Sequence, residues 1–303
     1  MKAKIIFSAL LLIGSMSSYS QISFKTEYIG SSSFWLDKDE DPRERIGNSR
    51  GSAIIYQGNI NIPLSMKLND KQQPIIWGAG IGGSYVSLHN KNFTEDLVIS
   101  EIMNIQLGIY HIRPLSERWS LMANIGIGAY TPFADPTKIR ATHLLGSFGG
   151  IFIYQFNPKF QLGGGLAINN TFGYPMVFPA LYLNWVSDGK FDFMASLGNG
   201  LEVSAGIDLG KHLSLSLIGE MNGQSALMEK DGKDVIFTHQ YIVAGLRPTI
   251  KIGKKLSIPI TAGINAIRPA NFSERKLKAM FSSENDYYFQ ISPYASVGLN
   301  INF

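Results

Sequence analysis

The chain has 303 residues, 27 Lys and Arg against 23 Asp and Glu, a formal net charge of +4 and no cysteine. So small a charge excess gives no grip on nucleic acid, and without thiols neither disulfides nor thiolate chemistry is available. Apolar residues make up 45% of the chain and glycine holds 31 positions. Yet no segment reads as an apolar helix of the roughly 20 residues that span a bilayer, which leaves a large β protein, soluble or embedded.

The first twenty residues, MKAKIIFSALLLIGSMSSYS, join Lys2 and Lys4 to an apolar run from Ile5 to Ile13 and then to small residues before Gln21. That order predicts a cleaved secretory signal peptide over 1–20, followed by one domain over 21–303. The apolar run is too short for a membrane-spanning helix, and no cysteine stands at the expected cleavage point to carry a lipid.

Fourteen strands are predicted in the domain, over 21–32, 48–68, 74–88, 97–112, 118–131, 142–156, 159–170, 176–186, 190–197, 201–209, 212–222, 238–252, 255–264 and 286–303. Side chains alternate faces along a strand, and several segments keep that period closely. In 201–209, Leu201, Val203, Ala205 and Ile207 alternate with Glu202, Ser204, Gly206 and Asp208. In 255–264, Leu256, Ile258, Ile260, Ala262 and Ile264 alternate with Lys255, Ser257, Pro259, Thr261 and Gly263. The last segment alternates from Tyr287 through Phe289, Ile291 and Val297 to Phe303 on one apolar face, far beyond the usual soluble strand length.

Connections after even-numbered strands are short (NDKQQ, RPLSER, NPK, SDGK, GK, GKK), and those after odd-numbered strands are mostly long. Only GNG at 198–200, after the ninth strand, breaks the rule. Short turns at one end and long loops at the other predict an all-β, up-and-down antiparallel transmembrane barrel of about fourteen strands, twelve being the alternative. Backbone groups in lipid must be paired, so the sheet has to close on itself. An even count puts both termini on the periplasmic side. Trp77, Tyr110, Trp119, Tyr130, Tyr154, Phe160, Trp185 and Phe191 fall near strand ends, where interfacial girdles lie.

The polar parity then faces the lumen. It offers Asn59, Asn104, Gln106, Glu202, Glu220, Arg247 and Lys251 as lining residues, with Lys25, Glu27 and Gln57 beside them. Fourteen strands about 4.8 Å apart and tilted near 40° enclose a backbone radius of about 14 Å, wide enough for water unless something fills it. Gly78, Gly80 and Gly83 match a dinucleotide fingerprint, but SYVSL continues a strand where that fingerprint needs a helix. The lumen-facing glycines at 78, 80, 82, 126, 128, 163 and 165 are expected to leave room or let the sheet bend. Ser273 is expected to cap a short helix through SERKLKAMF, with Glu274 near its positive end, in a loop over 271–285 that could enter the lumen. Asp37, Asp39, Glu40 and Asp41 cluster in the first outer loop, but fit no defined calcium spacing and are neutralised by Arg43 and Arg45. His143 and His239 are expected near the outer rim, with Asp231 and Asp234 in the preceding loop, and no local motif ties them to a nucleophile. No catalytic residue, metal ligand or cofactor site is therefore assigned.

The YSQ that ends the signal segment, GYPMVFPALYLNWVSDGKFDFMASLG at 173–198 and the terminal SVGLNINF carry a resemblance. The chain resembles outer-membrane β-barrels of the Bacteroidota type, close to a family filed as a domain of unknown function. The resemblance implies a barrel in the outer membrane and brings no functional residues with it. An aromatic last residue, Phe303, looks like the signal read by the barrel assembly machinery. The expected partners are therefore outer-membrane lipid, that machinery and small solutes, not nucleic acid. The first expected function is a passive pore or uptake channel for small solutes. The alternative is a non-transporting barrel whose outer loops bind a partner or support the envelope, and the third is a rim hydrolase.

Overall fold

The computed structural model describes residues 21–303 apart from 38–42, 188, 190, 198–199 and 281–285. The expected signal segment 1–20, and Asp39, Glu40 and Asp41 of the first loop, lie outside the described residues. The strands are β1 (Gln21–Asp37), β2 (Glu44–Leu68), β3 (Pro74–Lys91), β4 (Glu101–Pro114), β5 (Trp119–Thr131), β6 (Leu144–Asn157), β7 (Phe160–Asn169) and β8 (Met176–Ser187). They continue with β9 (Asp192–Leu197), β10 (Leu201–Asp208), β11 (Leu213–Lys230), β12 (Lys233–Ile252), β13 (Leu256–Glu274), β14 (Asp286–Phe289) and β15 (Ser292–Asn302). β14 and β15 are two halves of one strand broken at Gln290 and Ile291, so fourteen strands make the wall. Each pairs antiparallel with its chain neighbour, and β1 closes the barrel on β15 and β14.

The outward parity is apolar over a belt of the wall, with Leu64, Ile125, Leu166, Leu181 and Leu217 all exposed. Such a belt has no place in water, and it is what a bilayer requires. Two aromatic girdles bound it. The lower one holds Trp77, Trp119, Trp185 and Phe191, with the Trp119 and Tyr154 rings 5.0 Å apart. The upper one holds Tyr28, Tyr56 and Tyr85, with the Tyr56 and Tyr85 rings stacked at 6.4 Å. Along β3, Trp77 and Tyr85 are about 20 Å apart in height at ~3.3 Å per residue and a tilt near 40°, close to the usual apolar band. Sequence parity missed this upper girdle. It also placed Tyr110 and Tyr130 in a girdle, and the structure corrects both: each points inward, Tyr130 buried among Leu145, Leu227 and Ile236.

The wall is not round. Gly165 on β7 and Gly263 on β13 lie where a Cβ would run into backbone of the neighbouring strand, at Gly150 and Ile151 in one case and at Ala244 and Gly245 in the other. In a flat sheet a Cβ stands away from its neighbour's carbonyls, so these positions mark sharp creases on nearly opposite sides of the barrel. Between the creases β11 lies across the lumen against β4 and β5. Asn104 Nδ2 donates to Ser225 O at 2.7 Å, and Leu227 packs on Tyr130 and Leu145.

A second departure is local. β1 carries a register shift between Ile29 and Ser32, and its partner strand breaks at Gln290 and Ile291. Each bulge reverses the parity above it. Phe289, which continuous alternation put on the lipid face, is therefore buried inside with Phe34, while Ile291 and Val297 stay outside. Gly30 fits because a Cβ there would meet the Pro293 ring at 2.9 Å.

The loop over 271–285 is also corrected. No helix starts at Ser273; β13 runs on to Glu274 and a 3-10 turn follows at Leu277–Met280. Pairing of Ile236 with Ser273 and of Val235 with Glu274 extends the β12–β13 ladder past the expected cap. Just beyond, Arg275 donates to the carbonyls of Thr142, Asn170 and Thr171 at 3.0–3.1 Å and so ties three outer segments together. Arg275→Ala is expected to speed cleavage of the 132–143 and 170–175 loops by added protease, at least fivefold, while the barrel stays heat-modifiable. Unchanged digestion would remove Arg275 as the tie.

Candidate functional site

The interior divides by height. From the level of the upper girdle outward, Ile29, Phe34, Ile55, Val86, Phe237 and Phe289 fill the lumen with packed, mostly apolar side chains, among which Arg268 is fully buried with its guanidinium 3.8 Å over the Phe289 ring and Nη2 donating to Gly51 O at 2.6 Å. Below them a chamber of about 310 Å³ reaches the mouth at the short-turn end of the barrel, where Gln21, Asn61 and Asn300 line it. Its roof is a charge cluster. Lys25 Nζ contacts Glu220 Oε2 at 2.9 Å and Glu27 Oε2 at 3.0 Å. Arg247 Nη1 donates to Glu202 Oε1 at 2.8 Å, its Nη2 donates to Glu220 Oε1, and its Nε donates to Thr261 Oγ1 at 3.0 Å. Glu27, fully buried, accepts from Tyr241 Oη at 2.8 Å and from Tyr294 and Gln57. Charges this deep persist because every one of them has an opposite partner, and Glu27, Glu220 and Arg247 have further hydrogen bonds.

The register explains the convergence. Glu202 pairs with Glu220 across β10 and β11, and the inward parity of β12 brings Tyr241 and Arg247 to the same side. Lys25 and Gln57 are opposite one another on β1 and β2. Of the residues singled out from sequence, Asn59, Glu202, Glu220 and Arg247 line the chamber. Asn104 and Gln106 point inward but are buried higher up, against β11. Lys251 stands at the lower rim, 2.5 Å from Asp208. Phe303 is exposed at the end of the terminal strand. Tyr241, Thr261 and Tyr294 were missed as partners of the cluster. Their inward parity was readable, but which charges they would reach was not.

Among the described residues the histidines form no catalytic pair. His143 Nδ1 accepts from the Arg140 backbone N–H at 3.0 Å, and burial together with the Arg140 and Arg275 guanidinium groups holds its pKa below the ordinary histidine value. His239 is buried with Nδ1 3.3 Å from Gln224 Oε1. Among the described residues no group of three or more His, Cys, Asp or Glu side chains could hold a metal ion.

A family model described as a domain of unknown function, DUF6268, matches residues 16–302. No curated protein matches the chain. Among solved structures it is similar to an outer membrane channel from Pseudomonas putida F1, at 7% identity and a TM-score of 0.46, covering 95% of this chain and 97% of that one. It is similar to a Pseudomonas aeruginosa FadL homologue at 8% identity and a TM-score of 0.46, covering 94% and 90% of the two chains. The outer membrane protease OmpT from Escherichia coli aligns at 9% identity and a TM-score of 0.30, covering 97% and 100%.

Proposed function

The chain belongs to the DUF6268 family, and we propose that it is an outer-membrane uptake channel for small solutes held in a closed conformation. One observation carries this reading: a polar chamber with a buried ion cluster opens to the periplasmic mouth beneath an apolar plug, inside a wall built for lipid. A purely structural barrel gains nothing from an open chamber lined by amides and charges, since apolar side chains of similar volume would fill it at no loss of stability even where the charges are paired. The plug is made of side chains on the wall itself, so opening requires those side chains, or the flattened wall, to move.

On this reading residues 1–20 direct export, and Phe303 presents the terminal strand to the assembly machinery. The ion cluster sets selectivity once the plug opens. Hydrolysis at the rim has no support from His143 or His239, whose partners are a backbone N–H and an amide.

Conductance in planar bilayers tests the channel. The native barrel is expected to open rarely, and Phe289→Ala, which thins the plug at its centre, to raise open probability at least tenfold in stepwise currents. Silence of both heat-modifiable proteins at all voltages would overturn the channel and favour a non-transporting barrel that works through its loops.

A further inference from the structure

The β9–β10 hairpin is too short for the wall it fills. β8 pairs with β9 only from Leu183 to Ser187, and β11 pairs with β10 only from Ser214 to Met221. Above the Leu197–Leu201 pair, the β8 edge from Met176 to Tyr182 and the β11 edge from Asn222 to Lys230 have no strand partner on that side among the described residues. The wall is notched there.

The notch lies within the apolar band. Trp185 of the lower girdle is on β8, and the unpaired edge runs from three to nine residues above it, about 8 to 23 Å in height. Val177 and Leu181, on that edge, face lipid. Unpaired strand edges do not survive against hydrocarbon; they persist only beside protein or a polar cavity. Pro179 on this edge lacks a backbone N–H and so reduces the number of donors left unpaired. On the far side of the notch, β11 turns inward to pack on β4 and β5, which widens the gap.

The chamber reaches this place. Its lining includes Tyr182, Leu183, Leu197, Leu201 and Asn222, the residues around the notch floor, as well as the polar groups deeper in. The surfaces therefore grade from leucine at the wall to amide and charge within. Three carboxylates, Glu27, Glu202 and Glu220, face two cations, Lys25 and Arg247, so an anionic head is disfavoured.

We propose that the notch between β8 and β11 is a lateral port, through which a small amphipathic molecule with one apolar chain and an uncharged or cationic head passes between bilayer and chamber. This rests on the reading of the barrel as an uptake channel, and supplies its solute class and its route. The path along the axis stays shut by the plug, while the path through the wall needs no plug movement.

The chain's lack of cysteine makes the test direct. Ser196→Cys puts a thiol on the chamber lining beside the notch floor, and Ser23→Cys puts one on the same lining near the periplasmic mouth. Full-length protein in phosphatidylcholine vesicles is treated with a long-chain N-alkyl maleimide, which resides in the bilayer, or with a sulfonated maleimide, which does not. The ratio of the two labelling rates is expected to be at least tenfold higher at Ser196→Cys than at Ser23→Cys. Equal ratios would overturn the port. Asn222→Cys, on the other side of the notch, repeats the measurement if Ser196→Cys fails to become heat-modifiable. The labelling reads access and not current, so a silent bilayer with bilayer-side labelling would sink the channel and keep the port, and the reverse result would do the opposite.

Discussion

Glu220→Ala lowers the stability of the folded barrel by about 3–5 kcal/mol in urea titrations of vesicle-bound protein. Among the described residues Glu220 is the one carboxylate that contacts both Lys25 and Arg247, and it is almost fully buried. Its removal breaks both contacts at once and leaves each cation a single carboxylate. Arg247 keeps Glu202 and Thr261, and Lys25 keeps Glu27, but Glu27 is already shared with Tyr241, Tyr294 and Gln57. Removing the two cations as well, in Lys25→Met with Arg247→Met on the Glu220→Ala background, is expected to deepen the loss, because Glu27 and Glu202 are then left without a counter-charge, whereas adding Glu27→Gln and Glu202→Gln to that background is expected to recover much of it. A single-variant change below about 1 kcal/mol would mean that water already reaches the cluster and screens it.

Gly263→Val removes the folded species altogether. The added side chain would have to enter space held by the backbone of Ala244 and Gly245, which no rotamer change can vacate, and the crease between β12 and β13 would have to open. Gly165→Val at the opposite crease is expected to behave alike. Gly146→Ala is the control, since nothing lies within 4 Å of its Cβ position. Heat-modifiable migration on gels reads the result, and a folded Gly263→Val protein would show that the flattened section is not obligatory.

The architecture was legible because a barrel is written in two local signals, alternation and loop length. Leu201 to Asp208 and Leu256 to Ile264 alternate without interruption, and the structure turns their apolar parity to lipid. The GNG exception at 198–200 was equally visible, and it marks the short hairpin beneath the notch. What failed was extrapolation through bulges. Phe289 shares the parity of Val297, yet one lies inside and the other outside, because the break at Gln290 and Ile291 comes between them. The run Gly30-Ser31-Ser32-Ser33, with no alternation of its own, was the available hint of the matching bulge in β1.

The candidate site was legible as a set of inward charges and not as a cluster. Parity put Glu202, Glu220 and Arg247 on one side of the sheet. It could not say that the barrel is creased, that Lys25 from the first strand would meet Glu220 from the eleventh, or that phenylalanines would close the lumen above them. Those contacts depend on curvature, which is set by backbone approaches at Gly165 and Gly263 that a one-dimensional pattern does not record.

The pairing of β1 with β14 and β15 also constrains how the molecule assembles in time. Gln21 meets Asn302, so the contact that completes the cylinder joins residues separated by almost the whole described chain, and chain closure over such separations is slow. The two irregular strands must meet with their bulges level. A slip of one residue would turn Phe34 and Phe289 out to solvent or lipid and leave the lumen without its filling. The bulges thus act as a keyed joint: until they engage, the ring stays open and its first and last strands remain available to a folding catalyst.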